Sequence, residues 1–323
     1  MPIQIEPDFR ANSRFRAPAY LETLSPTPSS AKRSGFSRRR FLQAGALGAL
    51  GLAVYSGEIA RHWIEITRRD AQIPGLPLDF DGLKVAQLSD IHLENFTEPF
   101  FLRDAVRRIN QLDPDVIFLT GDFVTNALGN QFGAGRFAIN AAWQCADILL
   151  GLRCRRIYAV LGNHDLDVGA KQVSTALRDN GITVLRNSYL PIERGKSRIW
   201  LAGLDDPVEG HPVPDLAIPA SIRNIPGEPV ILLCHAPDFA RTLSTLPAGQ
   251  AVSLMLSGHT HGGQIRLPLV GALVLPIGGR LYPEGLYHVG RMQLYVNRGL
   301  GTVGVPFRFD CPPEITLHTL RAV

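Results

Sequence analysis

The sequence has few cysteines, and none of them is paired at zinc-finger spacing. Cys145, Cys154, Cys234 and Cys311 form no CxxC or CxxxC pattern, which argues against a cysteine-built zinc site. Two readings of them fit the spacing: a disulfide such as Cys145–Cys154, or separate and mostly buried thiols. After residue 80 there is no internal repeat, low-complexity tract or compositional shift, so the body is read as one domain rather than a repeat array. The body also lacks basic excess. Residues 1–70 carry eleven Lys and Arg against six acids, a net of +5, while the whole 323-residue chain is +4. Residues 71–323 therefore sum to −1, and the pI near 9.0 belongs to the leader. A near-neutral body with no basic stripe of interleaved aromatics speaks against a nuclease or any specific nucleic-acid partner. What remains, 45% hydrophobic and 19% charged residues, is the composition of an ordinary globular protein with a sizeable core.

The leader carries a targeting pattern. Residues 1–36 are polar and rich in Pro and Ser, a composition that cannot bury enough apolar surface to order itself. Ser37-Arg38-Arg39-Arg40-Phe41-Leu42 follows, then an apolar Gly/Ala-rich run from Ala44 to Val54. A charged segment before a short apolar core has the layout of an export signal. The paired arginines before Phe-Leu resemble the twin-arginine type, so residues 37–57 are read as a twin-arginine signal or retained anchor. The run is shorter than the roughly 20 residues that span a bilayer. No Ala-x-Ala cleavage site follows it. Export places the protein in the periplasm or on the outer face of the membrane, with the export machinery as a partner. Residues 58–80, closed by Pro74-Gly75-Leu76-Pro77, read as a linker, and residues 81–323 as the functional domain.

From Leu83 the chain alternates short apolar runs with amphipathic stretches, the pattern of an α/β layered domain. Strands are predicted over 83–88, 116–119, 157–161, 182–185, 199–201, 230–234 and 251–256. An antiparallel-looking pair over 286–289 and 293–296 and a last strand over 315–320 complete the set. Helices are predicted over 101–112, 138–150 and 172–178. Two sheets back to back with helices outside suit this order.

Small clusters of His, Asp and Asn lie just past strand ends, where loops of α/β sheets converge on ligands. Asp90-Ile91-His92 has two polar residues at i and i+2, which in extended chain share a side. Gly258-His259-Thr260-His261 repeats the device with two imidazoles. Gly121-Asp122 presents one carboxylate able to bridge two ions. Gly162-Asn163-His164-Asp165 offers an amide oxygen beside a histidine that need not be a ligand, and His235 follows the strand over 230–234. Each cluster alone is as readily turn chemistry. The ordered set of five is not. Two carboxylates, four imidazoles and one amide suffice for two first-row ions sharing an Asp, and mixed N/O donors suit Mn, Zn or Fe better than Mg or Ca. Asp205-Asp206 reads as a solvated turn before Pro207, and His62, His211, His288 and His318 as surface or structural.

These motifs resemble the calcineurin-like metallophosphoesterase signature over essentially the whole body. The blocks Ser257–Gln264, Asn297–Gly301 and Cys311–Ile315 resemble its exported YkuE/YaeI-type branch. The resemblance implies a four-layer α/β/β/α sandwich. It assigns Asp90, His92, Asp122 and His261 to a first metal and Asp122, Asn163, His235 and His259 to a second. It makes His164 the catalytic imidazole, oriented by Asp165. Thr125 stands where the family often has an acid that is not a ligand. Gln264 and Arg298 either touch substrate or stabilise their loops. The expected reaction is direct hydrolysis of an exported, membrane or cell-envelope phosphodiester by a metal-bridging hydroxide, with lipid- and cell-wall-linked phosphoesters among the candidate substrates. A phosphomonoesterase, a pyrophosphatase of a lipid-linked sugar nucleotide, and a non-catalytic metal-binding module are the alternatives.

Overall fold

The computed structural model describes residues 37–93, 96–125 and 134–323; the leader 1–36 lies outside the described residues. Arg38–Val54 form helix α1, none of whose side chains is buried, and the chain leaves it through helical turns Tyr55–Ile59 and Ala60–His62. No helix among the described residues is long and apolar enough to cross a membrane.

The expected linker 58–80 is corrected by what comes next. Glu65–Ile73 form strand β1, which pairs in parallel over its whole length with the last strand, β14 (Glu314–Ala322). Arg68, Arg69 and Asp70 give β1 no apolar signature. Only its distal end, Ala71 and Ile73, is buried. Charged residues on an edge strand discourage pairing with other chains, and its partner lies some 250 positions away, so no local pattern announces it.

The first half of the body runs β2 (Lys84–Leu88), α2 (Pro99–Leu112), β3 (Val116–Leu119), α3 (Ala134–Leu149), β4 (Ile157–Ala159), α4 (Asn163–Asp179) and β5 (Thr183–Val184). Helix α2 has Pro99 at its start, where the missing N–H costs nothing. It turns Phe101, Leu102, Ala105, Val106 and Ile109 inward and ends at Asp113 in the left-handed region. The second half runs β6 (Ser188–Arg194), β7 (Ser197–Gly203), α5 (Pro214–Ala217), β8 (Val230–Leu233), α6 (Phe239–Leu243), α7 (Pro247–Gln250), β9 (Val252–Ser257), the two-residue strands β10 (Arg266–Leu267) and β11 (Gly271–Ala272), β12 (Gly285–Val289), β13 (Met292–Val296) and β14.

Two six-stranded mixed sheets result, ordered β1-β14-β2-β3-β4-β5 and β12-β13-β9-β8-β7-β6. Their central strands β2, β3, β4 and β7, β8, β9, β13 are parallel. Parallel strands are covered on both faces and so read as unbroken apolar runs. Successive residues of β3 show why: Ile117 and Leu119 enter a core with α2, α3 and α4, while Val116 and Phe118 enter a core shared with the second sheet. In β8, Ile231 and Leu233 face the first sheet, and Val230 and Leu232 pack toward α5, α6 and α7. Gln87 of β2 crosses between the sheets, donating to Ser257 O at 3.0 Å and to Thr120 Oγ1 at 3.2 Å.

Candidate metal centre

Register aligns the strand ends. Leu88 pairs with Leu119, and Leu119 with Ala159; Leu233 pairs with Leu256, and Ser257 with Val296. The loops leaving β2, β3, β4, β8, β9 and β13 therefore emerge at one edge of the two sheets. Three overlapping donor groups form there: Asp90 with His92 and His261, His92 with Asp122 and His164, and Asp122 with His235 and His259. Asp90, His92, Asp122, His235, His259 and His261 are all buried.

The separations suit chelation. His92 Nε2 lies 3.0 Å from His261 Nε2 and 3.6 Å from Asp122 Oδ2. His261 Nε2 is 3.4 Å from Asp90 Oδ1, and His235 Nε2 is 3.1 Å from Asp122 Oδ2. Carbonyl oxygens only accept, so the imidazole nitrogens they meet must carry protons. His235 Nδ1 donates to Thr120 O at 2.6 Å, His261 Nδ1 to Gly301 O at 3.2 Å and His259 Nε2 to Ile277 O at 2.8 Å. Each ring thus turns its other nitrogen to the centre, as metal-bound histidines do. His92 Nδ1 contacts the Thr125 hydroxyl.

The fit to metal ions rests on two orphaned atoms. His235 Nε2 and Asn163 Oδ1 are buried without any hydrogen-bond partner, an arrangement that costs about 1–3 kcal/mol per group and that a cation would relieve. His235 Nε2 lies close to Asp122 Oδ2 without a hydrogen bond to it, while Nδ1 is taken up by Thr120 O; the space between the two side chains suits a positive charge. The field favours positive charge at this place: burial alone would lower His235, but Asp122 outweighs it and raises the imidazole well above its usual value. For Asp122, burial works upward and His235 prevails, holding the carboxyl well below its usual range. Burial lowers His92 and His261 strongly and His259 less, which keeps those rings neutral and able to ligate.

Convergence does not arise from extended alternation. Asp90, His92, Asp122, His259 and His261 have φ of 50°, 47°, 57°, 73° and 52°, a left-handed conformation that non-glycine residues adopt at a cost and that clusters at functional sites. The sequence argument from i and i+2 on one side of a strand reaches the right neighbours by the wrong geometry. Glycine is needed where these loops touch. A Cβ on Gly258 would overlap Ser89 Oγ and Asp90 Oδ2, and one on Gly162 would overlap Asp122 Oδ1.

Several expected roles change. Asp165 does not reach the His164 ring. Its carboxylate is buried and accepts from the backbone N–H groups of Asp122, Phe123, Val124 and Gly162 at 2.8–3.3 Å. It therefore fixes the Asp122 loop against the start of α4. Arg298 is likewise turned away from substrate, pairing with Glu65 at 2.8 Å and Glu314 at 3.1 Å. The Gln264 amide accepts from Val303 N at 2.6 Å and donates to Val303 O at 2.9 Å, which makes it a clasp between loops. Asp205 and Asp206 are buried, not solvated: Asp205 pairs with Arg186 at 2.7 Å, and Asp206 accepts from Val208 N and Glu209 N. All four cysteines are free thiols. His164 lines the pocket above the ligands, its ring 5.1 Å from that of His92.

Sequence reasoning missed Arg308. It is fully buried and donates to the carbonyls of Arg298, Gly299, Gly301 and Cys311, with Nη2 3.5 Å from His261 Nδ1. Nothing in its neighbourhood of the sequence, Pro306-Phe307-Arg308-Phe309, signals burial. Thr120 and Gly301, whose carbonyls orient His235 and His261, carry no sequence signal either.

Comparison with known proteins agrees with the geometry. The chain is 36% identical over 295 residues to the uncharacterized metallophosphoesterase YkuE of Bacillus subtilis (strain 168), covering 88% of this chain and 98% of that one. It is 32% identical over 292 residues to phosphodiesterase YaeI of Escherichia coli (strain K12), covering 88% and 99%. Similarity extends to UDP-2,3-diacylglucosamine pyrophosphatase LpxG of Chlamydia muridarum (strain MoPn / Nigg), 25% identical over 323 residues and covering 82% and 91%. The sequence profile of the calcineurin-like phosphoesterase family matches residues 83–263, the span that contains all seven expected ligands. With a donor set fit for two ions and relatives aligned along nearly their whole length, the chain belongs to the calcineurin-like phosphoesterase family and is a metal-dependent phosphoesterase.

Proposed function

We propose that the chain is a phosphodiesterase of the cell envelope, carried out of the cytoplasm by the twin-arginine route and retained at the outer face of the membrane or in the periplasm. The leader motif supports the route, and the phosphodiesterase name of one relative supports the bond cleaved. The observation that carries diester over monoester is electrostatic. Among the described residues, the pocket over the ligands, about 400 Å³, is lined by no Lys or Arg. Arg298 and Arg308 are engaged by carboxylates and carbonyls. A monoester dianion gains most from extra cationic groups, whereas a diester monoanion needs fewer and requires room for a second ester group.

Asp90, His92, Asp122 and His261 would hold one divalent ion, and Asp122, Asn163, His235 and His259 the other. Such ions, when bound, activate water and neutralise charge on the phosphoryl oxygens. The chain's own residues do the rest. The Asp122 carboxylate belongs to both donor sets and fixes their separation. Asp165 holds that loop through three backbone hydrogen bonds and ties it to Gly162 by a fourth. The His164 ring makes no hydrogen bond to any described residue, so its nitrogens are free to give a proton to the departing ester oxygen. The fourfold Arg308 anchor holds Gly301, and through Gly301 O the tautomer of His261.

Hydrolysis of bis(p-nitrophenyl) phosphate and p-nitrophenyl phosphate by protein stripped of metal and resupplied with Mn²⁺ or Zn²⁺ tests the reading. Metal-dependent turnover favouring the diester is expected. Turnover confined to the monoester would refute it.

A further inference from the structure

The pocket over the metal ligands has a second wall, for which a small, water-soluble phosphoester has no use. Opposite His164 and the ligands stand Ile265, Leu273, Val274, Pro276, Val303 and Val305. Three of these, Leu273, Val274 and Pro276, belong to an unusual stretch. Residues 267–279 run Leu-Pro-Leu-Val-Gly-Ala-Leu-Val-Leu-Pro-Ile-Gly-Gly, without one charged or hydrogen-bonding side chain. The stretch is not part of a core. Leu269 is fully exposed, and Val270, Val274 and Ile277 are 70–76% exposed. The short pairing of β10 with β11 shapes it into a hairpin, and Arg266 at its base is neutralised by Glu284 at 2.8 Å. A contiguous apolar surface of this kind on a soluble domain marks an interaction site.

The position of the hairpin selects its occupant. Leu273 and Val274 are at once hairpin surface and pocket wall, and Ile277 O is the acceptor that orients His259. The apolar bed is therefore continuous with the reaction site. A folded partner seated on it would cover the mouth through which substrate enters, while a hydrocarbon chain attached to the phosphoester would not. The two-way bond of Gln264 to Val303 holds the opposing wall in place. A second apolar surface flanks that wall. Leu47, Leu50, Leu52, Val54, Tyr55 and Ile59 are exposed. Their segment is tied to the loop after Val305 by Arg308 N donating to Ser56 O at 3.0 Å and by Gly57 against the Phe307 ring.

We propose that the substrate is an amphiphilic phosphoester. Its phosphorus sits over the ligands, and its hydrocarbon chain lies along the wall of Leu273, Val274 and Val305 and out across the hairpin. The inference rests on the phosphoesterase reading and names the substrate class for that site.

The test is a series of p-nitrophenyl alkyl phosphate diesters, from methyl through butyl to octyl, kept below micellar concentrations and given to the full-length Mn²⁺-loaded protein. kcat/KM should rise with chain length, by up to about fourfold for each methylene that is fully buried. The octyl-to-methyl ratio should collapse in Leu273→Ser and Val274→Asn; being a ratio, it is insensitive to general losses of activity or folding. A flat series with good turnover of the methyl ester would overturn the proposal and leave the phosphoesterase reading standing. A flat series together with a concentration-dependent dimer in sedimentation velocity would assign the hairpin to a second copy of the chain, which also overturns it. If no diester turns over, the phosphodiester reading fails by itself, and calorimetry of octyl against methyl phosphate decides this proposal. Binding at least tenfold tighter for octyl supports it, and equal binding sinks it.

Discussion

Acidification should destabilise this protein through one histidine that lies behind the metal loops. His318, in β14, is fully buried, donates Nε2–H to Gln87 Oε1 at 3.0 Å and leaves Nδ1 without a partner. Burial, with a smaller contribution from Arg69, pushes its imidazole down to about 3. In the unfolded chain the value returns to about 6.5. Below that pH the unfolded state takes up a proton that the folded state refuses. The stabilisation is therefore complete above pH 6.5 and is lost as pH falls toward 3. Between pH 7 and 4.5 the loss from this group alone is about 3 kcal/mol, two units at about 1.4 kcal/mol each. Urea unfolding of chelator-treated protein at both pH values, for the wild type and for His318→Gln, isolates it. The glutamine amide can still donate to Gln87 but does not titrate. The wild type should lose about 3 kcal/mol more than the variant over this interval. Equal losses, or an imidazole seen by NMR to protonate near pH 6.5 in the folded protein, would refute the reasoning.

Four further variants have expected outcomes. His164→Gln should lower kcat on bis(p-nitrophenyl) phosphate by about 10²–10⁴ with metal content intact by elemental analysis, whereas Asp122→Asn should lose both metal and activity. Arg298→Met should leave KM for the diester within about twofold, since the guanidinium faces Glu65 and Glu314. It should nonetheless lower stability in chemical denaturation by roughly 2–3 kcal/mol, because Glu314 stays buried with only its neutral donors. Gly258→Ala should cut Mn²⁺ affinity at least tenfold in a calorimetric titration, because its Cβ must displace Ser89 and Asp90; unchanged affinity would show that the loop yields.

The strands that build the centre were legible because they are buried on both faces. Val116–Leu119 and Val230–Leu233 are wholly apolar, and a polar cluster directly after such a run stands out. Strand β1 was not legible, since Arg68, Arg69 and Asp70 read as linker and its pairing is with the far end of the chain. The hairpin over residues 266–277 was missed for a related reason. Its apolar run carries neither the alternation of a half-buried strand nor the period of a helix; the absence of charge across 267–279 was the signal available.

The sequence by itself determined the donor inventory: two carboxylates, four imidazoles and an amide, each placed just beyond a buried strand. Composition and short motifs suffice for this because the ligand types and the apolar strands before them are local properties. Only the tertiary structure decided the roles that depend on direction. Asp165 turns to four backbone amides, Arg298 to Glu65 and Glu314, and Gln264 to Val303, while Arg308 enters the interior to hold four carbonyls. A side chain's partner is set by which backbone groups the fold leaves unsatisfied around it. Those groups come from segments far apart in the chain, brought together only when the two sheets close on their shared core.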